Sequence, residues 1–166
     1  MRRTVGQSGF TVIELVLTIL ITIMIAATAI SQFNLTGDRA ASAGRKLLSD
    51  LRYAQQLANA TQARSGVALS GSSYTVFTSN SSASPATDPL NGGSYVVNMT
   101  GNFASVTLSN TLTGGIVRFD SLGVPYQGTD GSQTALAAAQ TITVSSGASS
   151  IKTITIEANT GKVWMN

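Results

Sequence analysis

Hydrophobic and polar positions divide the chain into three consecutive patterns, and the first is an uncharged run at residues 15–33. Most side chains in this run are apolar, and the polar ones are mainly threonines. Its length is close to the ~20 apolar residues that a helix needs to cross the hydrocarbon core of a bilayer. The first pattern therefore predicts a membrane-spanning helix.

The second pattern, at residues 40–64, has the period of an amphipathic helix. Its small and apolar residues recur at steps of three or four, and most of its charged residues lie off that line. The recurring positions are Ala40, Ala43, Leu47, Leu51, Ala54 and Ala58. We expect this helix to continue from the membrane span, with any bend near Gly37, because glycine in a helix interior is unfavourable by ~1 kcal/mol relative to alanine.

The third pattern begins after Arg64, where β-branched and aromatic residues alternate with Ser, Thr and Gly in short runs. Alternation with a period of two is typical of half-buried strands. Eight strands are predicted, at 66–70, 74–78, 95–99, 105–109, 116–120, 141–145, 153–157 and 162–165. A disordered Ser/Thr-rich linker is the alternative, but the alternating Val, Ile, Phe and Tyr favour packed sheets.

Two longer stretches between these strands, 80–93 and 121–139, are predicted loops because they are rich in turn-forming residues. The second loop is expected to contain at most one helical turn, at 135–140. Gly123 and Gly161 are predicted to be turn glycines with positive φ. The fold class is therefore α+β, with a long N-terminal helix, membrane half plus amphipathic half, followed by a C-terminal β domain.

Composition narrows the classes of function. The chain has 166 residues with no cysteine and no histidine, so a disulfide framework, a histidine base and a histidine metal ligand are all excluded. The spacing of the remaining polar residues suggests neither a nucleophile paired with a base nor a set of metal ligands, as a catalytic centre requires. We therefore expect a protein that is not an enzyme and that has no cofactor and no metal. An anchored periplasmic enzyme is kept as an alternative.

Glu14 is the one charged residue near the start of the apolar run. An ionised carboxylate inside a membrane helix is unfavourable by ~2.5–3.5 kcal/mol, so it tends to be kept where it has a partner or a function. In a plain membrane anchor, Glu14 would instead reach water at the interface. A secretory signal peptide is a further alternative, but the small polar residues at 7–9 precede the apolar run rather than follow it.

Residues 9–15, Gly9-Phe10-Thr11-Val12-Ile13-Glu14-Leu15, resemble the signature of type IV pilin-like proteins. The resemblance implies that a prepilin peptidase cuts between Gly9 and Phe10 and that the new amine of Phe10 is methylated. It also implies that Glu14 is an assembly contact for the N-terminal amine of a neighbouring subunit. The expected domains are a leader at 1–9, a transmembrane half-helix at 10–33, a periplasmic amphipathic half-helix at 34–65 and a β-rich globular domain at 66–166.

Three further segments are similar to the pseudopilin H and FimT branch of minor pilins. They are LRYAQQLA at 51–58, VRFDSLG at 117–123 and ITIEANTGKV at 154–163. The similarity implies a pilin-like fold, in which the long N-terminal helix is packed on a C-terminal antiparallel β domain. It also implies a minor subunit of a type II secretion pseudopilus or a type IV pilus, acting in protein secretion or filament initiation. The implied partners are the peptidase, other pilins or pseudopilins, and an inner-membrane assembly platform.

Charge before the span sets the expected orientation. Arg2 and Arg3 precede the apolar run, and positive charge favours a cytoplasmic N-terminus. The protein is therefore expected to cross its membrane once and to export its C-terminal domain. The pilin resemblance implies that this membrane is the bacterial inner membrane, that the C-terminal domain lies in the periplasm, and that the subunit is later extracted into a pseudopilus or a surface pilus. If the leader is removed, eight basic side chains remain against seven acidic ones, so the mature chain is nearly neutral.

A DNA-binding minor pilin for DNA uptake is the alternative function. The candidate contacts are Lys162, Lys152 and Arg118, with Arg64 as a fourth scattered cation. Phosphate contacts dominate DNA affinity, so these few cations predict at best weak, salt-sensitive binding. Nucleic acid is therefore not an expected partner.

Overall fold

The computed structural model describes residues 11–30, 35–147 and 150–166. Two compact units are distinguished, Met1–Leu35 and Thr36–Asn166. Helix α1 spans Val12–Ile30 and helix α2 spans Leu35–Thr61, and residues 31–34 lie outside the described residues. Within the described ranges, no helix is both long enough and apolar enough to cross a membrane.

Helix α2 follows the predicted amphipathic pattern, because all six recurring apolar positions are buried. The helix is continuous through Gly37, where we expected any bend to occur, and through Gly44. Gly44 is buried, and a Cβ atom at this position would lie 2.8 Å from the sulfur of Met165. The absence of a side chain at Gly44 therefore lets α2 approach the last strand closely.

Among the described residues, ten strands follow α2. They are β1 (Ser65–Ser70), β2 (Ser73–Phe77), β3 (Val96–Asn98), β4 (Val106–Asn110), β5 (Ile116–Phe119), β6 (Pro125–Gln127), β7 (Thr134–Ala135), β8 (Gln140–Ser146), β9 (Ser150–Ile156) and β10 (Val163–Met165). They form a six-stranded sheet in the order β3-β2-β1-β5-β6-β7 and a four-stranded sheet in the order β10-β9-β8-β4. Every pairing between these strands is antiparallel.

The prediction for residues 121–139 was wrong in two respects. This stretch contains β6 and β7, and it has no helical turn at 135–140, where β8 already begins at Gln140. Alanine-rich sequence favours a helix locally, but strand pairing and burial prevail here. Ala135 pairs with Tyr126, and the N–H of buried Leu136 donates to the carbonyl oxygen of Pro125 at 3.0 Å.

One hydrophobic core joins α2 to both sheets. It includes Leu47 and Leu51 from the helix, residues such as Val67 and Phe119 from the six-stranded sheet, and residues such as Ile154 from the four-stranded sheet. The two sheets also meet at their margins, where the N–H of Leu108 donates to the carbonyl oxygen of Gly71 at 2.8 Å. The predicted α+β fold, a helix packed on an antiparallel β domain, is therefore confirmed.

Candidate functional site

The predicted N-terminal site is described only in part. Gly9 and Phe10 lie outside the described residues, whereas Glu14 lies in the first turn of α1 and is exposed. The Thr11 hydroxyl accepts a hydrogen bond from the backbone N–H of Glu14 at 3.3 Å. A threonine hydroxyl in this position satisfies one of the free N–H groups that every helix start leaves.

The described surface of α1 is mostly apolar. Every described side chain at positions 11–26 is exposed, and Glu14 is the single charged residue among them. The hydroxyls of Thr18 and Thr22 donate to backbone carbonyl oxygens of their own helix, those of Leu15 and Thr18. These threonines therefore add little polar surface, because their hydroxyls are already bonded within the helix.

The three segments that resemble minor pilins meet at one place in the β domain. The side-chain amide of Gln55, late in α2, donates to the carbonyl oxygens of Gly123 at 3.2 Å and Gly161 at 3.5 Å. Gly123 belongs to the turn between β5 and β6, and Gly161 belongs to the turn between β9 and β10. We call this arrangement of Gln55, Gly123 and Gly161 the Gln55 clasp.

Both glycines of the clasp have positive φ, as predicted, with values of 81° at Gly123 and 63° at Gly161. Gly161 has a second constraint, because a Cβ atom there would lie 2.1 Å from the carbonyl oxygen of Gly123. Asp120 shapes the neighbouring turn, since its Oδ1 accepts the N–H groups of Leu122 and Val124, both at 2.9 Å. The clasp therefore depends on backbone conformations that glycine adopts without strain.

A shallow groove of about 420 Å³ lies beside the clasp, and no charged residue lines it. Its lining residues are Gln55, Gln56, Asn59, Ala60, Leu122 and Gly123. Leu122 is 85% exposed at the tip of its hydrogen-bonded turn. An uncharged lining of amides, backbone and one leucine offers hydrogen bonds and apolar contact, but it offers neither a catalytic base nor an ion-binding group.

Arg118, one of the candidate DNA contacts, is completely buried in β5. Its guanidinium donates to the carbonyl oxygen of Gly128 and to the carboxylate of Asp130, and it lies over the Phe77 ring with 5.2 Å to the centroid. A buried, ion-paired guanidinium cannot reach a phosphate without leaving this position. We therefore do not propose Arg118 as a nucleic-acid contact.

The other candidate cations lie nearer to the surface. Lys162 is exposed, with its ammonium 5.8 Å from the centroid of the Trp164 ring, and Lys152 is half-buried. Arg64 donates to the side-chain oxygen of Gln133 at 2.7 Å and lies over the Tyr126 ring. Lys162 is therefore the most accessible of the four cations. One accessible cation among the four does not make an extended basic surface.

Asp130 ties the Arg118 position to the long loop between β2 and β3. Its two carboxylate oxygens accept the backbone N–H of Ser82, each at 3.1 Å, and Oδ2 also accepts the Ser82 hydroxyl at 3.0 Å. These hydrogen bonds from Ser82 and the charge of Arg118 lower the pKa of Asp130. The carboxylate therefore holds two loops together in its ionised form.

A polar network that the sequence did not indicate lies between α2 and the six-stranded sheet. Asp50 is only 2% exposed, and its carboxylate accepts the hydroxyls of Tyr74 at 2.6 Å and Tyr95 at 2.8 Å. The ammonium of Lys46 donates to both Asp50 oxygens, each at 2.7 Å, and to the Tyr95 hydroxyl at 2.8 Å. Asp50 thus has partners from two elements, as a buried charge requires.

The network changes the titration of its members. Burial and the Asp50 charge raise the pKa of Tyr74, and burial raises the pKa of Tyr95 despite the opposing effect of Lys46. Burial alone would lower the pKa of Lys46, but its bonds to Asp50 and Tyr95 outweigh this effect and raise it. Both tyrosines therefore stay protonated and Lys46 stays charged at neutral pH, which suits a structural network rather than acid–base chemistry.

In the part of the chain that the structure describes, no group of three or more acidic, cysteine or histidine side chains is placed to hold a metal ion. One signal in the sequence could have revealed the Asp50 network. Asp50 stands three residues after Leu47 and four before Ala54, which places it on the buried face of α2. No comparable local signal marks Arg118 and Asp130.

Comparison with known proteins adds little to this picture. No protein-family model matches the chain, and no curated protein matches it. One similar solved structure is that of the type IV minor pilin FimU from Pseudomonas aeruginosa (strain PAO1), at 15% sequence identity. The match covers 75% of this chain and 90% of that chain, with a TM-score of 0.46. At this level of similarity, FimU carries no weight in assigning a function.

Proposed function

We propose that the protein is a non-catalytic minor subunit of a type II secretion pseudopilus or a type IV pilus, assembled through its N-terminal helix. The resemblance of residues 9–15 to the signature of type IV pilin-like proteins supports a pilin-like role. The resemblance of the three clasp-forming segments to pseudopilin H and FimT supports a minor rather than a bulk subunit. The implied role is in protein secretion or filament initiation.

The observation that carries the proposal is the surface of α1. A helix whose described side chains at 12–26 are all exposed and mostly apolar has to be covered by lipid or by other helices. Glu14 is the exception, and a carboxylate in that environment gains most from an opposite charge, since attraction is stronger in a low dielectric than in water. The amine that the proposed cut would create at Phe10 supplies such a charge.

Phe10 and Glu14 are four residues apart, so they would share a face if the helix extends to Phe10. The amine could then pair with Glu14 of its own chain or of a neighbour. The family resemblance favours the neighbour, which makes the pair an assembly contact. The other proposed partners are the prepilin peptidase and an inner-membrane assembly platform.

The proposed location follows from the sequence. The uncharged run at 15–33 supports a single span, and Arg2 and Arg3 support a cytoplasmic N-terminus. The β domain would then stand in the periplasm until the subunit is extracted into the filament. Its Gln55 clasp and Asp50 network hold α2 to the β domain, which suits a domain that is incorporated as one folded unit.

Processing and filament incorporation test the proposal together. We would express the chain with a complete set of pseudopilus or pilus components, isolate the filaments and measure the N-terminal mass of the chain in them. We expect a chain that begins at a methylated Phe10, and a bulky substitution such as Gly9→Trp should block the cut. An uncut chain that begins at Met1, or a cut after Ala29, would overturn the pilin interpretation.

A further inference from the structure

The loop between β2 and β3 ends in a tight turn at residues 88–93 that displays Leu90, which is 87% exposed. The turn is closed by its own hydrogen bonds. The N–H of Asp88 donates to the carbonyl oxygen of Gly93, and the N–H of Gly92 donates to the carbonyl oxygen of Asp88, both at 2.8 Å. At its centre, the side-chain Oδ1 of exposed Asn91 accepts the N–H of Gly93 at 2.8 Å.

We propose that Asn91 is a site of spontaneous deamidation. The backbone nitrogen of Gly92 attacks Cγ of Asn91 and forms a new N–Cγ bond. The Cγ–Nδ2 bond then breaks, and Nδ2 leaves as ammonia after taking up the proton that the Gly92 nitrogen loses. The five-membered succinimide that remains is opened by one water molecule at either carbonyl, which gives aspartate or isoaspartate. No electron transfer is involved.

The geometry of the turn assists the attack. As the tetrahedral intermediate forms, negative charge develops on Asn91 Oδ1, the atom that already accepts the Gly93 N–H at 2.8 Å. A backbone donor at this distance stabilises such an oxyanion. Because the nucleophile and the electrophile belong to adjacent residues, the step is intramolecular and needs no second molecule.

Access to the reacting atoms is also open. Gly92 has no side chain, and even a Cβ atom built there would have no neighbour within 4 Å. Gly92 itself is exposed, so the rest of the protein does not enclose the residue that carries the attacking nitrogen. Its hydrogen bond to the Asp88 carbonyl must break first, but a bond in an exposed loop opens at low free energy.

The chain contains an internal comparison at Asp130-Gly131, another side-chain carbonyl followed by glycine. The Asp130 carboxylate is held in its ionised form by Ser82 and Arg118. An ionised carboxylate is a poor electrophile, so the equivalent cyclisation at Asp130 should be slow. Asn91 and Asp130 are both exposed and both precede a glycine. They differ in that Asn91 carries a neutral amide, whereas Asp130 carries an ionised carboxylate.

The product differs from the parent in charge. A free aspartate has a pKa near 3.9, so the new carboxylate is ionised at neutral pH and the turn gains one negative charge. That charge lies one residue from exposed Leu90. Deamidation would therefore add a second acidic side chain to a leucine-bearing turn that already contains Asp88, without altering the core.

The test is to incubate the full chain in detergent at neutral and mildly basic pH, digest it, and quantify each asparagine peptide by mass spectrometry. If the incubation is carried out in water labelled with heavy oxygen, the aspartate or isoaspartate formed during it carries the label and can be distinguished from acid that was present before. We expect Asn91 to convert at least roughly tenfold faster than Asn80 and Asn102, whose following residues carry side chains. The rate should rise with pH, and Asp130 should not isomerise at a comparable rate.

The matched variant is Gly92→Ala, which keeps Asn91 but adds a methyl group on the attacking residue. The turn has φ of 72° at Gly92 and open space around it, so alanine causes only local strain of about 1–2 kcal/mol there. Conversion at Asn91 should then fall to the rate of the other asparagines. Equal conversion of Asn91, Asn80 and Asn102 in the parent chain would overturn the proposal, and so would an unchanged rate in a folded Gly92→Ala chain.

Discussion

The side-chain amide of Gln55 donates to the carbonyl oxygen of Gly123 at 3.2 Å and so connects the end of α2 to the turn between β5 and β6. The same amide reaches the carbonyl oxygen of Gly161, in the turn before β10. One side chain therefore joins three segments separated by up to 106 positions in the sequence. These are the segments whose sequences resemble minor pilins, which gives that resemblance a common structural location.

Gln55→Ala should destabilise the β domain by about 1–2 kcal/mol, because it removes one good and one weaker hydrogen bond from a half-buried site. Denaturant unfolding of the full chain in detergent measures this change. Gln56→Ala is the matched control, since Gln56 is the next residue and is exposed, and its effect should stay within about 0.5 kcal/mol. Equal effects of the two substitutions would show that the clasp contributes nothing to stability.

Asp50→Ala should be more damaging, with an expected loss of about 2–4 kcal/mol, because three donors lose their shared acceptor. Tyr74→Phe removes only one donor and should cost about 1–2 kcal/mol. Tyr126→Phe is the control, since it leaves the ring under the Arg64 guanidinium at 4.0 Å. If unfolding free energies ranked Tyr126→Phe equal to Tyr74→Phe, the network would have no stabilising role.

The attachment of the β2–β3 loop should weaken in acid. The folded pKa of Asp130 lies below its ordinary value of 3.8, mainly because of the Ser82 N–H. The stabilisation is therefore fully present above that ordinary value and is lost as the pH falls through the lower folded pKa. The effect should be modest, since the Asp130 side chain is 41% exposed and solvent screens its charge.

Hydrogen exchange of residues 78–94 as a function of pH measures this attachment. Asp130→Asn should lower the protection of that loop's amides from exchange at neutral pH. The further loss of protection in acid should then be absent. Glu157→Gln is the control, because it removes a carboxylate from the β9–β10 turn instead. An acid-induced increase in exchange that persists in Asp130→Asn would assign the effect to another group.

Glu14→Leu should separate insertion from assembly. Leucine keeps the segment apolar, so the variant should insert, be cut after Gly9 and fold its β domain normally. Without the carboxylate it should co-purify with partner pilins at least roughly tenfold less, the factor that about 1.4 kcal/mol of lost pairing gives. Glu157→Gln again provides a control that alters charge outside the helix. Normal incorporation of Glu14→Leu would leave Glu14 as an interfacial acid only.

The sequence by itself determined the helix face and most of the strands, because their signals are local. The apolar positions of α2 recur at helical spacing and all are buried, and the eight predicted strands are all present. Gly123 and Gly161 were also predictable, since a turn that needs positive φ favours glycine whatever surrounds it.

Only the tertiary structure decided the strands in 121–139 and the surroundings of the buried charges. Strands β6 and β7 exist because β5 offers a free edge and Leu136 has a core to enter, although the local sequence favours a loop or a helical turn. Arg118 has the alternating position of a surface cation, but its strand is covered and Asp130 compensates its charge. Strand pairing and the desolvation of charge depend on residues distant in sequence, and for that reason periodicity could not predict them.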